Sequence, residues 1–337
     1  MNVGIIGGTG TISMALTQKL IEENTDLTLF HRNVGRLPGN RVKEIKVDRN
    51  DVGAMKKVLA RKSFDVILDF VCFDENQAKD AVKLFKNKTK QYIFISTVAT
   101  YDRAMSVIFD EASVQGNPHG LYGKNKEAAE KVFLKAFEET GFPVTIIRPS
   151  QTYDDTRIPL SVKGKTCYSV VSRMLKDKEV IVHGDGTSCW ASMHSEDFAS
   201  GIYPLLGLQE TLGQIYQLTS EEVVSWNMIY TWLAKYLGVT YRPVYLPSSL
   251  LAKSRMFDFT TQLLGDKQYS VIFDCSKIKE IIVKIPNAIL MEEGIKRYVR
   301  YIANHPESRI EDDTYDVWCD RLIQTVSESY KQIEQVL

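Results

Sequence analysis

Tyr122 and Lys126, in the segment Tyr122-Gly-Lys-Asn-Lys126, can do acid–base chemistry together. Four positions apart, they share one face of a helix. A phenol titrates near ~10 and is a poor acid or base at neutral pH. An ammonium beside it favours the phenolate. A tyrosine tuned in this way exchanges a proton with a substrate hydroxyl or carbonyl. The spacing alone is weak, because the chain holds 16 tyrosines and many lysines, and a plain surface pair is the simpler alternative. The surroundings add weight. Ser96 and Thr97 follow the apolar run Tyr92–Ile95 and offer hydroxyls to a reacting oxygen. In an open parallel sheet, ligands bind outside the carboxyl ends of the strands, so Ser96, Thr97, Tyr122 and Lys126 fit one cleft and are candidates to touch substrate.

A second group sits at the start of the chain. Gly7-Gly8-Thr9-Gly10-Thr11-Ile12-Ser13 follows the apolar run Val3–Ile6. Glycines there let backbone N–H groups of Gly7, Thr9, Gly10, Thr11 and Ile12 approach a pyrophosphate, which a helix N-terminus also favours. Ser13 stands where a third glycine would serve helix–strand packing. An acid about 20 residues further on would hold the ribose 2′-hydroxyl of NAD. The chain instead has Phe30-His31-Arg32-Asn33, with Arg36 nearby. A guanidinium suits a 2′-phosphate, so NADP is expected over NAD, with NAD the alternative and Arg32 and Asn33 at the ribose. A solvated surface charge is the other reading of Arg32. Asp48, after the next strand, suits the adenine or a helix cap equally.

These residues need elements to hold them. Leu27–Phe30, Ile45–Val47, Val66–Phe70, Tyr92–Ile95 and Val144–Ile147 read as further strands. Ile12–Glu22, Asp51–Arg61, Glu75–Lys86 and Tyr122–Glu139 read as helices between them. Strands alternating with helices of this length predict βαβ units and a parallel sheet. Near-continuous apolar runs fit strands covered on both faces. The expected class is α/β, a Rossmann-type doubly wound parallel sheet. Residues 1–150 form the dinucleotide-binding part. Residues 151–337 form a smaller, mixed, mainly helical substrate-binding part interleaved with the sheet. There Ser150–Thr166 reads as loop, Val170–Leu175 as helix and Glu179–Val182 as strand. Ser195–Leu206 reads as a helix capped by Ser195, Ile215–Leu218 as strand, Trp226–Leu237 as a helix between Ser225 and Gly238, and Asp312–Gln335 as a last long helix.

Composition excludes other classes. The chain has 337 residues, 44% hydrophobic and 25% charged, with 42 Lys+Arg against 42 Asp+Glu. Zero net charge argues against a broad nucleic-acid binder. Five cysteines form no CxxC pair and their count is odd, so free thiols are expected and no metal set. The N-terminal residues do not read as a signal peptide, and no apolar run reaches the ~20 residues of a bilayer span. A cytoplasmic protein without a membrane partner is expected.

With these residues in view, the chain resembles the short-chain dehydrogenase/reductase superfamily and, within it, the extended NAD(P)-dependent epimerase/dehydratase family. The resemblance spans roughly residues 1–240 and rests on GGTGTIS, FISTVATY, YGKNK, Ile147-Arg148-Pro149 and HGDGTSCWASMHSEDFA. It implies Thr97 as the catalytic hydroxyl beside Ser96, Tyr122 as acid/base, and Lys126 holding the ribose hydroxyls. It also implies Phe70, Val71, Cys72 and Pro149 at the cofactor's edge. His194 and Asp197 match family positions that look structural. Family dehydratases carry an Asp-Glu pair after the threonine, where this chain has Val98-Ala99. Nucleotide-sugar members commonly have arginine where Trp190 stands, so either another cation (Arg173 or Arg255) binds phosphate or the substrate is not a nucleotide sugar. Trp190 either stacks on a ligand or fills the core. Tyr153, in Tyr153-Asp154-Asp155, either meets substrate or opens a solvated turn. The implied activity is NAD(P)-dependent redox or epimerisation at a secondary alcohol or ketone, on a sugar or nucleotide sugar, in a homodimer formed through helices that include Tyr122–Glu139. The rival is a non-catalytic NAD(P)-binding member that recognises RNA or a protein.

Overall fold

The structure is a computed structural model that describes residues 1–33, 42–282 and 288–337. The first βα turns appear as the sequence predicts. Strands β1 (Asn2–Ile6), β2 (Asp26–His31), β3 (Lys43–Lys46), β4 (Phe64–Asp69) and β5 (Thr89–Ile95) alternate with helices α1 (Thr11–Glu22), α2 (Val52–Leu59) and α3 (Glu75–Phe85). Helix α4 (Leu121–Thr140) leads to the strand Val144–Pro149, and Ile215–Leu218 supplies the edge. The seven strands run in the order Ile215–Leu218, Val144–Pro149, β5, β4, β1, β2, β3. Every pairing is parallel. Ile5, Leu29, Leu68, Ile93 and Ile147 are fully buried, which is why the strands read as continuous apolar runs. One core cluster joins Met55, Ala81, Phe85 and Phe133 to Phe30, Tyr92 and Phe94. Strand order reverses at β1, between β2 and β4, and that reversal opens a crevice at the strands' carboxyl ends.

The described residues divide into two compact units. The first unit holds Met1–Thr152, Ala191–Glu221 and Ile272–Ile289; the second holds Tyr153–Trp190, Glu222–Val271 and Leu290–Leu337. The chain returns to the first unit because the sheet needs it. Ile215–Leu218 pairs with Ile146–Pro149, α6 (Ser195–Ile202) packs on α1, and Ile272-Phe273 pairs with Ile108-Phe109.

The second unit holds α5 (Tyr168–Leu175), α7 (Trp226–Leu237) and the helices Met291–Asn304 and Asp313–Glu334. A short parallel pair, Val180–His183 with Pro243–Leu246, accompanies them. Caps account for the helix limits. Ser225 Oγ accepts from Met228 N at 3.3 Å, Gly238 closes α7 at φ 71°, and Asp312 caps the last helix through Tyr315 N.

Three local expectations change. His194, not Ser195, caps α6: its Nδ1 accepts from Glu196 N at 3.2 Å. That helix ends at Ile202, because Pro204 removes a backbone donor. Gln151–Tyr153, expected as loop, is a short strand. Among the described residues no helix is long and apolar enough to cross a membrane.

Candidate functional site

The crevice is a cleft of about 480 Å³ in the first unit, lined by the carboxyl end of each strand in this half of the sheet. Gly7–Gly10, Ile12 and Ser13 come from the turn after β1; Phe30–Asn33 close β2; Val47–Asn50 follow β3; Phe70, Val71 and Phe73 follow β4. Gly7 and Gly8 have φ of 103° and 96°, a region that side chains with a Cβ rarely adopt. The first N–H groups of α1 have no acceptor within the helix. They begin at Thr11, beside the exposed Gly10, so the chain offers an anion cradle there. Ser13 is tolerated in the third glycine's place because it is buried and useful. Its Oγ accepts from Gly10 N at 3.0 Å.

Arg32 and Asn33 line the cleft and no acid ends β2. Arg36 lies outside the described residues. Asp48 also lines the cleft, while the cap of α2 falls to Asp51, whose Oδ1 accepts from Ala54 N at 2.8 Å. Sequence reading did not single out Arg49. It is buried, donates to Asp69 Oδ2 at 3.1 Å and to the Gln77 carbonyl at 3.0 Å, and so ties β4 to α3 at the cleft wall. Tyr92 donates to the same carboxylate oxygen at 2.6 Å. His31 and Gln77 also line the cleft; no motif marks either, because each is placed by tertiary packing.

The catalytic candidates come together in the same unit. Thr97 begins a single 3₁₀ turn, and its Oγ1 accepts from Ala99 N at 3.1 Å. Its side chain also reaches the Tyr122 hydroxyl closely enough to lower the phenol's pKa. Gly123 permits this approach: a Cβ there would collide with the Ala99 carbonyl oxygen. Tyr122 is 46% exposed, so its ring stays open to a ligand. Burial around the hydroxyl raises its pKa, and the Thr97 side chain offsets part of that rise. Lys126 is buried and donates to the carbonyls of Cys72 at 2.6 Å and Ile95 at 2.7 Å. Burial lowers its pKa to about 8. Its ammonium lies 5.0 Å from the ring of Phe73, which lines the cleft. Lys126 thus adjoins the cleft wall through Phe73, while Thr97 and Tyr122 are not among the residues that line it.

Behind it Glu130, one turn beyond Lys126, pairs with Arg148 through two bonds of 3.0 and 2.6 Å. Ser96 donates to the same carboxylate. Ser96 is 2% exposed, so its hydroxyl is directed into the protein and not at a ligand. Cys72 contributes its carbonyl, while its thiol belongs to the core, where burial raises its pKa to about 12. Pro149 is a buried strand residue paired with Leu218. Thr11 supplies the first helical position of α1.

Tyr153 and Trp190 belong to the second unit. Tyr153 is buried, and Gly294 lies so close that a Cβ there would strike its ring. Trp190 is 4% exposed and packs on Trp226 with ring centroids 5.5 Å apart, which favours the core reading. Arg173 is not a spare cation for phosphate, because Asp316 and Asp320 take its guanidinium at 2.6 and 2.8 Å. Arg255 remains exposed.

Comparison with known proteins agrees with this fold. The chain is similar to 2′-dehydrokanamycin reductase of Streptomyces kanamyceticus, 20% identical over 258 residues, which are 75% of this chain and 71% of that protein. It is also similar to the chloroplast stem-loop binding protein of 41 kDa b of Arabidopsis thaliana, 23% identical over 66% of this chain and 60% of that protein. Among solved structures, dTDP-glucose 4,6-dehydratase of Bacillus anthracis, in complex with NAD, shares the fold with a TM-score of 0.73 at 18% identity, over 91% of this chain and 98% of that one. The sequence pattern of the NAD dependent epimerase/dehydratase family matches residues 3–218, and the chain belongs to that family.

Proposed function

We propose that the protein is an NADP(H)-preferring oxidoreductase or epimerase acting at a secondary alcohol or ketone of a carbohydrate-like substrate. The observation that carries this reading is that Thr97 acts on the Tyr122 hydroxyl, with the Lys126 ammonium 5.9 Å from the Tyr122 ring, one helical turn on and against the cleft wall. The cleft fits a dinucleotide: it has a glycine turn at positive φ, a helix N-terminus and a basic residue at the end of β2. Gly7, Thr9, Gly10, Thr11 and Ile12 would hold the pyrophosphate, and Arg32 and Asn33 the 2′-phosphate. The nicotinamide supplies hydride chemistry when bound. Tyr122 takes or returns the proton of the reacting hydroxyl, Thr97 hydrogen-bonds the same oxygen, and the Lys126 charge favours the phenolate.

Val98 and Ala99 offer no acid or base after Thr97, so the likeness to a 4,6-dehydratase fold does not extend to dehydration. The name of the Streptomyces relative is consistent with reduction of a ketone on a sugar-containing molecule. The protein acts as a homodimer in this reading. A second reading, a stem-loop-binding member, draws on the name of the Arabidopsis relative.

The deciding experiment measures hydride transfer to or from NADP(H) across a panel of carbonyl and hydroxyl sugars for wild type and Tyr122→Phe. Wild-type turnover that falls by about 10²–10⁴ in the variant supports the enzyme. Full turnover in Tyr122→Phe sinks the assigned role. No wild-type turnover together with specific RNA binding favours the second reading.

A further inference from the structure

Asp69 is a charged side chain where a strand of this sheet is otherwise apolar. It ends β4, is fully buried, and takes no part in the proton transfer proposed above. Burying a carboxylate is costly unless donors converge on it, and three do, from three segments of the first unit. Arg49, after β3, donates to Oδ2 at 3.1 Å; Tyr92 of β5 donates to the same oxygen at 2.6 Å; Val71 N donates to Oδ1 at 2.9 Å. The last two belong to the segments that receive Lys126. Val71 precedes Cys72, whose carbonyl accepts from the ammonium at 2.6 Å. Tyr92 lies on the strand that ends in Ile95, whose carbonyl accepts at 2.7 Å. The turn after β4 is pinned on its far side as well, where Phe73 N donates to Gln77 Oε1 at 2.5 Å. The rings of Phe94 and Phe73 lie 4.8 and 5.0 Å from the ammonium, and ring faces favour a cation.

We propose that Asp69 is the positioning residue of the acid–base set: its carboxylate fixes the turn after β4 against the end of β5, and so keeps Lys126 seated and positively charged beside Tyr122. Apolar packing joins two strands at lower cost. It neither holds the Val71 N–H nor sets a negative charge behind the ammonium. The charged and titratable groups facing Lys126 are Tyr122 and Glu130 on its own helix, Asp69 and Cys72 from β4 and its turn, and Arg49 from the segment after β3. The Cys72 thiol stays protonated at neutral pH, since burial raises its pKa to about 12. Of the two carboxylates, Glu130 is taken by two nitrogens of Arg148, and Asp69 is the one tied to the seat itself. Burial lowers Lys126 to about 8 even with that carboxylate in place; without it the cation is lost near neutral pH. The inference rests on the oxidoreductase reading in taking Lys126 to serve Tyr122.

The test follows the Lys126 side chain by carbon NMR in the full chain made with lysine labelled at Cε, its signal assigned by its absence in Lys126→Met. In Asp69→Asn the midpoint of its titration should fall by about half a pH unit or more, because the opposite charge is removed and Arg49 is left uncompensated. A role in holding the fold alone leaves the midpoint where it is, or raises it as water reaches the ammonium; either result overturns the proposal. Arg49→Met breaks the same buried pair but leaves the carboxylate its bonds from Tyr92 and Val71, so the midpoint should rise. That variant carries the test if Asp69→Asn fails to fold, and an unchanged or lower midpoint there overturns the proposal too. On a sugar that the wild type turns over, Asp69→Asn should lose kcat at neutral pH by about tenfold or more. A fallen midpoint with kcat unchanged overturns the link to catalysis. The NMR readout needs no turnover, so the seat is tested by itself, and a wild type without turnover sinks the enzyme reading separately.

Discussion

The Lys126 ammonium lies 5.9 Å from the centroid of the Tyr122 ring, one helical turn away, while its hydrogen bonds go to the carbonyls of Cys72 and Ile95. The lysine thus lies beside the Tyr122 ring and is clamped by the ends of two strands. Lys126→Met removes the charge and keeps most of the volume. We expect kcat to fall by about 10² or more. The alkaline rise of kcat/KM for alcohol oxidation should move to higher pH, since a phenolate without its cation forms later. A pH–rate profile checks both, and an unshifted profile would leave Lys126 with a packing role only.

In the proposed function Arg32 carries the cofactor preference. It lines the cleft at the end of β2, where no carboxylate stands to claim a 2′-hydroxyl. Wild type should bind NADPH more tightly than NADH. Arg32→Ala should bring the two affinities together, mostly by weakening NADPH. Fluorescence titration of both cofactors measures this. Equal affinities in the wild type would make Arg32 a solvated charge.

Gly123 sets the distance between α4 and the turn that holds Thr97, since a Cβ would meet the Ala99 carbonyl oxygen. Gly123→Ala gains helix propensity, by about 1 kcal/mol at most. It must also push the helix from the turn, at a cost of about 1–3 kcal/mol. We expect lower stability in denaturant, and a loss of kcat larger than that in a surface glycine variant such as Gly141→Ala. Unchanged kcat would mean that the Thr97–Tyr122 contact tolerates a shifted helix.

The sheet was readable because its strands are buried on both faces and its helices are amphipathic. Caps such as Ser225 and Gly238 announce themselves by residue type. Thr97, Tyr122 and Lys126 were readable because strand ends and i,i+4 spacing are local facts. Arg49, Gln77 and Glu130 were not, because their partners lie 18 to 28 residues away and depend on which strands become neighbours. Ser96 and Thr97 show the limit most plainly. Adjacent hydroxyls look alike in sequence, yet the pleat directs Ser96 to Glu130 and leaves Thr97 to meet Tyr122. Trp190 could not be assigned from sequence either, since an indole suits a core and a ligand equally until Trp226 is placed against it.

Lys267 makes stability depend on pH in a way that a variant isolates. Burial lowers its pKa to about 8 in the folded chain, against about 10.4 when unfolded. Between these values the unfolded state binds more protons, so this group's contribution to stability rises with pH. Below pH 8 the penalty is fully present; above about 10.5 it is gone. Buried thiols such as Cys275, and buried tyrosines such as Tyr230, have raised pKa values and act in the opposite sense. They are common to wild type and variant and cancel in the difference. In phosphate-free buffer, the stability of wild type relative to Lys267→Met should therefore rise by about 2–3 kcal/mol from pH 7 to 10. Urea denaturation of both proteins at the two pH values measures the gap. A constant gap would mean that the ammonium is already compensated in the folded chain.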